Sequence, residues 1–457
     1  MDVSVFNDPV FRRFATQRPV ATAVQLILRR MLLSDCIDQL FRDNAQLQYE
    51  RTLLFSGVTK LMASVVLGQN PSVNAAHKKM ANELGVSNTA LYNKLQRIEP
   101  NTSRSLVQRA YDCAVEINKA IGGVKRNDLP GYSTRILDGN HLGKTEHRIK
   151  ETRDLVAGPL PGKSLVVYDP RYDCVCDFIP IEDGHAQEIS VIDEVIETLQ
   201  RSQLWIGDRN FCILRLLYTI AEQSSCFIVR QHGKLKGTVK GKERKIGNSA
   251  TGTVYENQLV LPCHDGKTIV VRRVVVHLNT PTRDGDYEIV LLTNLPLEDA
   301  SAVTISDLYR DRWKIETMFL HLTLHLGCEI KALCYPAASL FCFAVSLLGY
   351  NSLSVVKAMI AAEHGRSASE QLSHYYMACE IAQTLEGMLI AIADSAWETV
   401  NHLPLEDFAR ELLKISASAD MQMYRKSVRG AKKPPPKKKG NKRTVHVSTK
   451  RILDKRN

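Results

Sequence analysis

Residues 133–139 read STRILDG, residues 163–170 KSLVVYDP and residues 174–181 CVCDFIPI, three short β-rich runs each bounded by Gly, Pro or Asp. Their close spacing predicts a meander. A helical pattern over about 186–201 then leads into LWIGDRN (204–210), a second helix from about Phe211 to Glu222, and the strand-like CFIVRQ (226–231). The order β-β-β-α-β-α-β sets the fold class as α/β (α+β).

That element order is the one of a ribonuclease-H-like domain, predicted to begin at 126–230 and to resume at 301–350. After Arg230 a Gly- and Lys-rich link precedes three strand-like runs, TVYENQLVLP, TIVVRRVVVHL and YEIVLLTN, with no helical pattern between them. They predict an inserted β subdomain over 231–300. Helix returns at about Ser306 with SDLYRDRWKIETMFLHLTLHLG, and C-terminal helices are predicted over 351–420. The apolar stretch Ala337–Tyr350 follows Pro336 and is short for a membrane span, so it predicts a buried core helix and no membrane partner.

On the N-terminal side, residues 1–125 read as helices. Within them, a helix-turn-helix is predicted near 76–98. Met80 and Leu84 face inward, Gly85 supplies the turn, Ser87 or Asn88 caps the next helix, and Leu91 and Leu95 continue its buried face. This leaves Asn88, Thr89, Tyr92 and Asn93 on the outer side, where amides and hydroxyls reach bases or phosphates.

Two carboxylates are placed by strand ends: Asp138, followed by Gly139, and Asp208 in GDRN. If these strands are neighbours, the two anions sit side by side and repel, raising one pKa unless a cation neutralises them. Mg²⁺, which takes one or two carboxylates plus phosphate and water oxygens, suits such a pair. Glu316 is the candidate third ligand. Tyr309, Arg312 and Glu316, spaced three and four apart, share one helical face on which Arg can hold a phosphate beside a metal. Trp205 and Trp313, within regular elements, are expected to pack the core.

These residues resemble those of the DDE transposases of bacterial insertion sequences, specifically the insertion-sequence-four group with its Tyr-x2-Arg-x3-Glu-x6-Lys signature, here YRDRWKIETMFLHLT. The resemblance runs from about Tyr132 to Gly349. It implies metal on Asp138, Asp208 and Glu316, two Mg²⁺ (or Mn²⁺) ions per active site, and support and phosphate contact by Tyr309 and Arg312. It also implies cleavage of an element end to a 3′-hydroxyl, attack of that hydroxyl on target DNA, and a homodimer synapsing two ends. One element departs from the pattern: the signature Lys position is Thr323, which carries no charge. A catalytically inactive, DNA-binding derivative is therefore the alternative, and a plain metal-dependent nuclease a third reading.

Charge points to the same partner. The formal net charge is +11, and between Arg425 and Asn457 fourteen Lys or Arg face one acid, Asp454, giving +13 there and about −2 in the rest. Lys432, Lys433, Lys437, Lys438 and Lys439, interleaved with prolines, predict a disordered basic tail over 421–457 that binds double-stranded DNA through phosphate. Eleven cysteines without a CxxC pair read as reduced thiols, and no secretory signal opens the chain, so the expected location is the bacterial cytoplasm, at the nucleoid.

Overall fold

A computed structural model describes residues 8–123, 129–262, 266, 268–282, 285–427, 430 and 446–455. Its centre is a mixed sheet of nine strands: β1 (Ser133–His141), β2 (Lys163–Asp169), β3 (Cys174–Ile181), β4 (Gln203–Gly207), β5 (Cys226–Arg230), β6 (Thr238–Asn248), β7 (Gly252–Pro262), β8 (Thr268–Leu278) and β9 (Glu288–Thr293). They lie in the order β3-β2-β1-β4-β5-β9-β8-β7-β6. β1, β4 and β5 run parallel, whereas β1–β2, β2–β3 and every pair from β5 to β6 are antiparallel. β4 is buried at all five positions, as expected of a central strand with covered faces.

The predicted insertion is not a separate sheet. β9 pairs with β5, so β6–β9 prolong the same hydrogen-bonded ladder. Its first member, β6, lies where the sequence reads as a link. TVKGKERKIGN is exposed at ten of eleven positions, so it has no buried face to impose alternation, and its lysines suit an unpaired edge.

Alternation along β1 assigns the two faces of the sheet. Leu137 joins a cluster with Trp205, Leu216, Leu217 and Phe227, under helices α8 (Ile192–Ile196) and α9 (Leu214–Glu222). Ile136 faces the other way, into the main core with the helical bundle, and Asp138, two residues on, shares that face.

The bundle has an N-terminal part: α1 (Pro9–Gln17), α2 (Pro19–Met31), α3 (Ser34–Asn44), α4 (Phe55–Val66), α5 (Val73–Leu84), α6 (Asn88–Leu95) and α7 (Pro100–Ala120). Its C-terminal part is α10 (Ala302–Arg310), α11 (Trp313–His325), α12 (Pro336–His364), α13 (Arg366–Glu370), α14 (His374–Ala391), α15 (Asp394–Asn401) and α16 (Leu405–Ala417). α12 starts at the proline, as expected of a residue that lacks a donor and has a helical φ. It is long and apolar enough to cross a membrane, yet that apolar window is wholly buried inside the fold. On α12, fully buried Asn351 donates to Val175 O (2.9 Å) and accepts from Val175 N (2.8 Å), satisfying the backbone of edge strand β3.

The C-terminal region departs from the expected tail. Tyr424 is buried and donates to Glu380, residues 446–448 pair in parallel with 158–160, and α17 (Thr449–Asp454) follows, with Arg451 on Asp183 at 2.6 Å. Thus 421–427 and 446–455 pack on the body, while Lys432, Lys433, Lys437, Lys438 and Lys439 lie outside the described residues.

α7 is fastened to the sheet by a two-pronged ion pair, Arg104 Nε–Asp177 Oδ1 (2.9 Å) and Nη2–Oδ2 (2.7 Å), with both side chains largely buried. Removing one partner leaves the other charge uncompensated. Arg104→Leu is expected to lower unfolding stability by about 3 kcal/mol, read as a fall in the urea midpoint; an unchanged midpoint would show that the pair contributes nothing.

Candidate active site

Asp138 lies on β1 two residues beyond Ile136, and Asp208 follows β4 directly, where its carboxylate accepts from Asn210 N at 2.8 Å and caps a short 3₁₀ turn. Because β1 and β4 are parallel neighbours, with Leu137 opposite Gly207, both acids emerge at the same end of the sheet. α11 approaches from the bundle face and brings Glu316 in its first turn.

Arg312 joins these elements. Its Nη1 is 2.8 Å from Asp138 Oδ2 and its Nη2 is 2.6 Å from Glu316 Oε1, so one guanidinium spans the two carboxylates. Tyr309, Arg312 and Glu316 do not share one continuous helix, as their spacing predicts. α10 ends at Arg310, and α11 begins at Trp313 after a tightened turn in which Arg312 N bonds Tyr309 O and Ile315 N bonds Arg312 O. In such i→i+3 geometry residues three apart eclipse, and the Tyr309 ring lies 5.9 Å from the Arg312 guanidinium carbon.

The electrostatics are those of crowded acids. Burial pushes the Asp138 carboxyl up to about 7; Arg312 opposes this, while Asp208 and Glu316 add to it. Asp208 is also raised, first by burial, against its Asn210 backbone bond and Arg312. Burial raises the Tyr309 hydroxyl as well, which leaves it a protonated hydrogen-bond donor.

A fourth acid was not legible in the sequence. Glu188, from a 3₁₀ turn about fifty residues beyond Asp138, lies against Gly139, where a β-carbon would overlap its carboxylate. It pairs with Lys163 at 3.4 Å, and its charge further raises Asp208. The only sequence signal for it was a glycine after a strand-end acid, which marks a close approach without naming the partner.

Other expected site residues are placed less uniformly. α5, the left-handed Gly85 (φ +62°) and α6, capped by the Ser87 hydroxyl on Ala90 N, form the predicted helix-turn-helix, with Leu84, Leu91 and Leu95 buried. Thr89 and Asn93 are exposed; Asn88 and Tyr92 are half-buried, and Tyr92 packs against the main core instead of facing outward. Trp205 is buried as expected, but Trp313 is 55% exposed, because it opens α11 on the side away from Ile315 and Met318. Thr323 returns its hydroxyl to Phe319 O at 3.0 Å.

Two acids on neighbouring parallel strands, met by Arg312 from the turn before α11 and by Glu316 from its first turn, define a class of domain. Residues 130–338 match the family model of the transposase DDE domain. Among curated relatives, a Sinorhizobium fredii protein named as a transposase, y4zB, is 29% identical over 168 residues, 36% of this chain and 44% of that protein. A Synechocystis protein named as a transposase for insertion sequence element IS4SA is 27% identical over 153 residues, 32% of this chain and 39% of its own. The match thus spans about two fifths of these relatives' length.

The raised Asp138 has a direct consequence for stability. An acid whose folded pKa lies above its unfolded value binds more protons when folded, so stability falls as pH rises from about 4 to about 7. In chelator-treated protein, Asp138→Asn is expected to raise stability at pH 8 by on the order of 1–3 kcal/mol and to have little effect at pH 4. The check is urea unfolding at both pH values, and a variant less stable at pH 8 would contradict the reading.

Proposed function

We propose that this protein is the transposase of an insertion sequence, cutting DNA at the element ends and joining the freed 3′-hydroxyl to target DNA. The observation that carries the reading is the convergence of Asp138, Asp208 and Glu316 on Arg312, within the stretch that matches the DDE domain. The strand order β3-β2-β1-β4-β5, with its antiparallel meander and two parallel partners, supports a ribonuclease-H-like core, with β6–β9 inserted before the glutamate helix.

The donor set suits Mg²⁺, or Mn²⁺ in its place. The side chains are hard oxygen donors, and Asp138 is a buried acid beside other acids, its charge offset chiefly by Arg312. The described residues hold no ready-made group of three ligating side chains, since the guanidinium stands between Asp138 and Glu316. Two cations held by Asp138, Asp208 and Glu316 would stabilise the attacking and leaving oxygens of an in-line displacement.

The chain's own part is positioning. Arg312, with a planar fork already matched to two oxyanions, suits the non-bridging oxygens of the scissile phosphate, and the Tyr309 ring holds it in place. Water attacks phosphorus, the P–O3′ bond breaks, and a 3′-hydroxyl and a 5′-phosphate result. The 3′-hydroxyl then attacks a target phosphodiester and displaces its 3′-oxygen, so one such bond forms for each one broken.

Double-stranded DNA is the partner, met by the outer residues of α6, Thr89 and Asn93, together with Asn88, Tyr92 and the Lys-rich stretch that includes Lys432 and Lys437. The working form is a homodimer that synapses two ends, at the bacterial nucleoid. An inactive DNA-binding derivative is favoured by one observation, the uncharged and internally bonded Thr323.

The test is cleavage and joining of an end-bearing duplex in Mg²⁺. Asp138→Asn, Asp208→Asn and Glu316→Gln are each expected to lower both rates by about 10³-fold or more while leaving duplex binding in place. Binding without cleavage by the natural chain would favour the derivative, and cleavage without joining a plain nuclease.

A further inference from the structure

On the side of α11 next to Glu316 lies a cavity of about 530 Å³, walled by the β2–β3 turn, α11, α12, α13 and the start of α14. Six cations line it: Arg171, Arg310, Lys314, Lys357, Arg366 and Lys426. The acids on the same wall are three, Asp173, Asp311 and Glu370, and Arg310 pairs with Asp307 beside the wall at 3.6 Å, leaving an excess of two positive charges, Arg171 and Lys426. Each acid already has a partner: Lys357 on Asp173, Lys314 on Asp311 at 3.1 Å, and Arg366 on Glu370 at 2.9 Å. Asp173 also accepts from the Tyr350 hydroxyl at 2.6 Å. Lys426 donates to the Glu370 carbonyl at 2.8 Å and, among the described residues, makes no ion pair.

A buried polar group in its wall is His374, 5% exposed, with both ring nitrogens buried and unpartnered. Its ring stacks on His321 at 3.7 Å between centroids, and the His321 Nδ1 also lacks a partner. Burial and the nearby Lys357 and Lys426 charges lower both imidazoles, His374 to about 2 and His321 to about 4. A neutral imidazole still has one N–H to give. Buried polar atoms without partners are rare in folded proteins and ask for an explanation.

We propose that this cavity is a phosphate-binding site that takes a backbone phosphate of the DNA strand running over α11 from the catalytic acids. The charges of Lys426 and Arg171 meet the phosphate oxygens, and the imidazole N–H of His374 donates to one of them. Trp313, exposed on the wall, lies between the cavity and Glu316 on the surface of α11. The site also puts positive charge beside α11 although Thr323 itself carries none.

That the phosphate comes from DNA rests on the transposase reading; that the cavity takes phosphate does not. The experiment is titration of the full chain with inorganic phosphate and with a short single-stranded DNA oligonucleotide, read by Trp313 fluorescence, with Trp313→Phe as the control for the signal. Saturable quenching by both probes is expected, tighter for the oligonucleotide, weakened about tenfold in Lys426→Ala and in His374→Ala, and retained for phosphate in Glu316→Gln. Lys426 is a partly exposed side chain, so its variant is informative even where His374→Ala fails to fold. The proposal is overturned by the absence of saturable quenching or by binding unaffected in Lys426→Ala. Phosphate binding at least as tight as oligonucleotide binding would overturn the DNA source. Cleavage that survives Glu316→Gln would sink the transposase reading and leave the phosphate result standing.

Discussion

One guanidinium holds the site together. Asp138 and Asp208 are brought to the same end of the sheet by parallel pairing, and Glu316 is added by a helix from the bundle. Three acids in a partly buried place repel unless a cation stands among them. Arg312 is that cation, bridging Asp138 and Glu316 and lowering the cost for Asp208. The tightened turn between α10 and α11 exists at the residue that makes these bonds, and it sets the Tyr309 ring 5.9 Å from the guanidinium carbon. Under the proposed function, an arginine that already binds two oxyanions would exchange them for phosphate if divalent cations took over the carboxylates.

The rest of the fold serves to fix α11 against β1. Alternation along β1 sends Leu137 to one core and Asp138 to the bundle face, so a one-residue slip would turn the acid away. Several polar anchors oppose movement of the bundle on the sheet: Arg104 on Asp177, Asn351 on the Val175 backbone, and Lys357 with two tyrosines on Asp173. All three reach the β2–β3 hairpin, the edge closest to the bundle's long helix. The C-terminal segment adds a further clasp through residues 446–448 and Arg451.

Much of this was readable before any coordinates. Strands with one or both faces covered carry strong apolar signals, so β1 to β5 and β7 to β9 stood out, as did the buried helix after Pro336. Asp208 and Glu316 stood out because one follows a strand and the other lies in the first turn of a helix, whereas Asp138, expected at a strand end, lies inside β1, which runs on to His141. What was lost lacked a buried face or depended on distant partners. β6 is polar on both sides and reads as a link. Glu188 becomes an active-site neighbour only when the chain folds back on Gly139. Trp313 was expected in the core because aromatic residues usually are, yet it is half-exposed at the start of α11, on the wall of a cavity. The docking of 446–455 rests on long-range pairs, Arg451–Asp183 and Lys450–Glu182, that no local pattern encodes.

The central claim is that the three carboxylates are a cation site temporarily occupied by Arg312. Its most direct test is a crystal of the chain soaked in Mn²⁺, with anomalous scattering used to find the ion. The account predicts a peak among Asp138, Asp208 and Glu316, with the guanidinium swung off Asp138. A guanidinium still bridging Asp138 and Glu316, with no anomalous density beside it at saturating Mn²⁺, would contradict it.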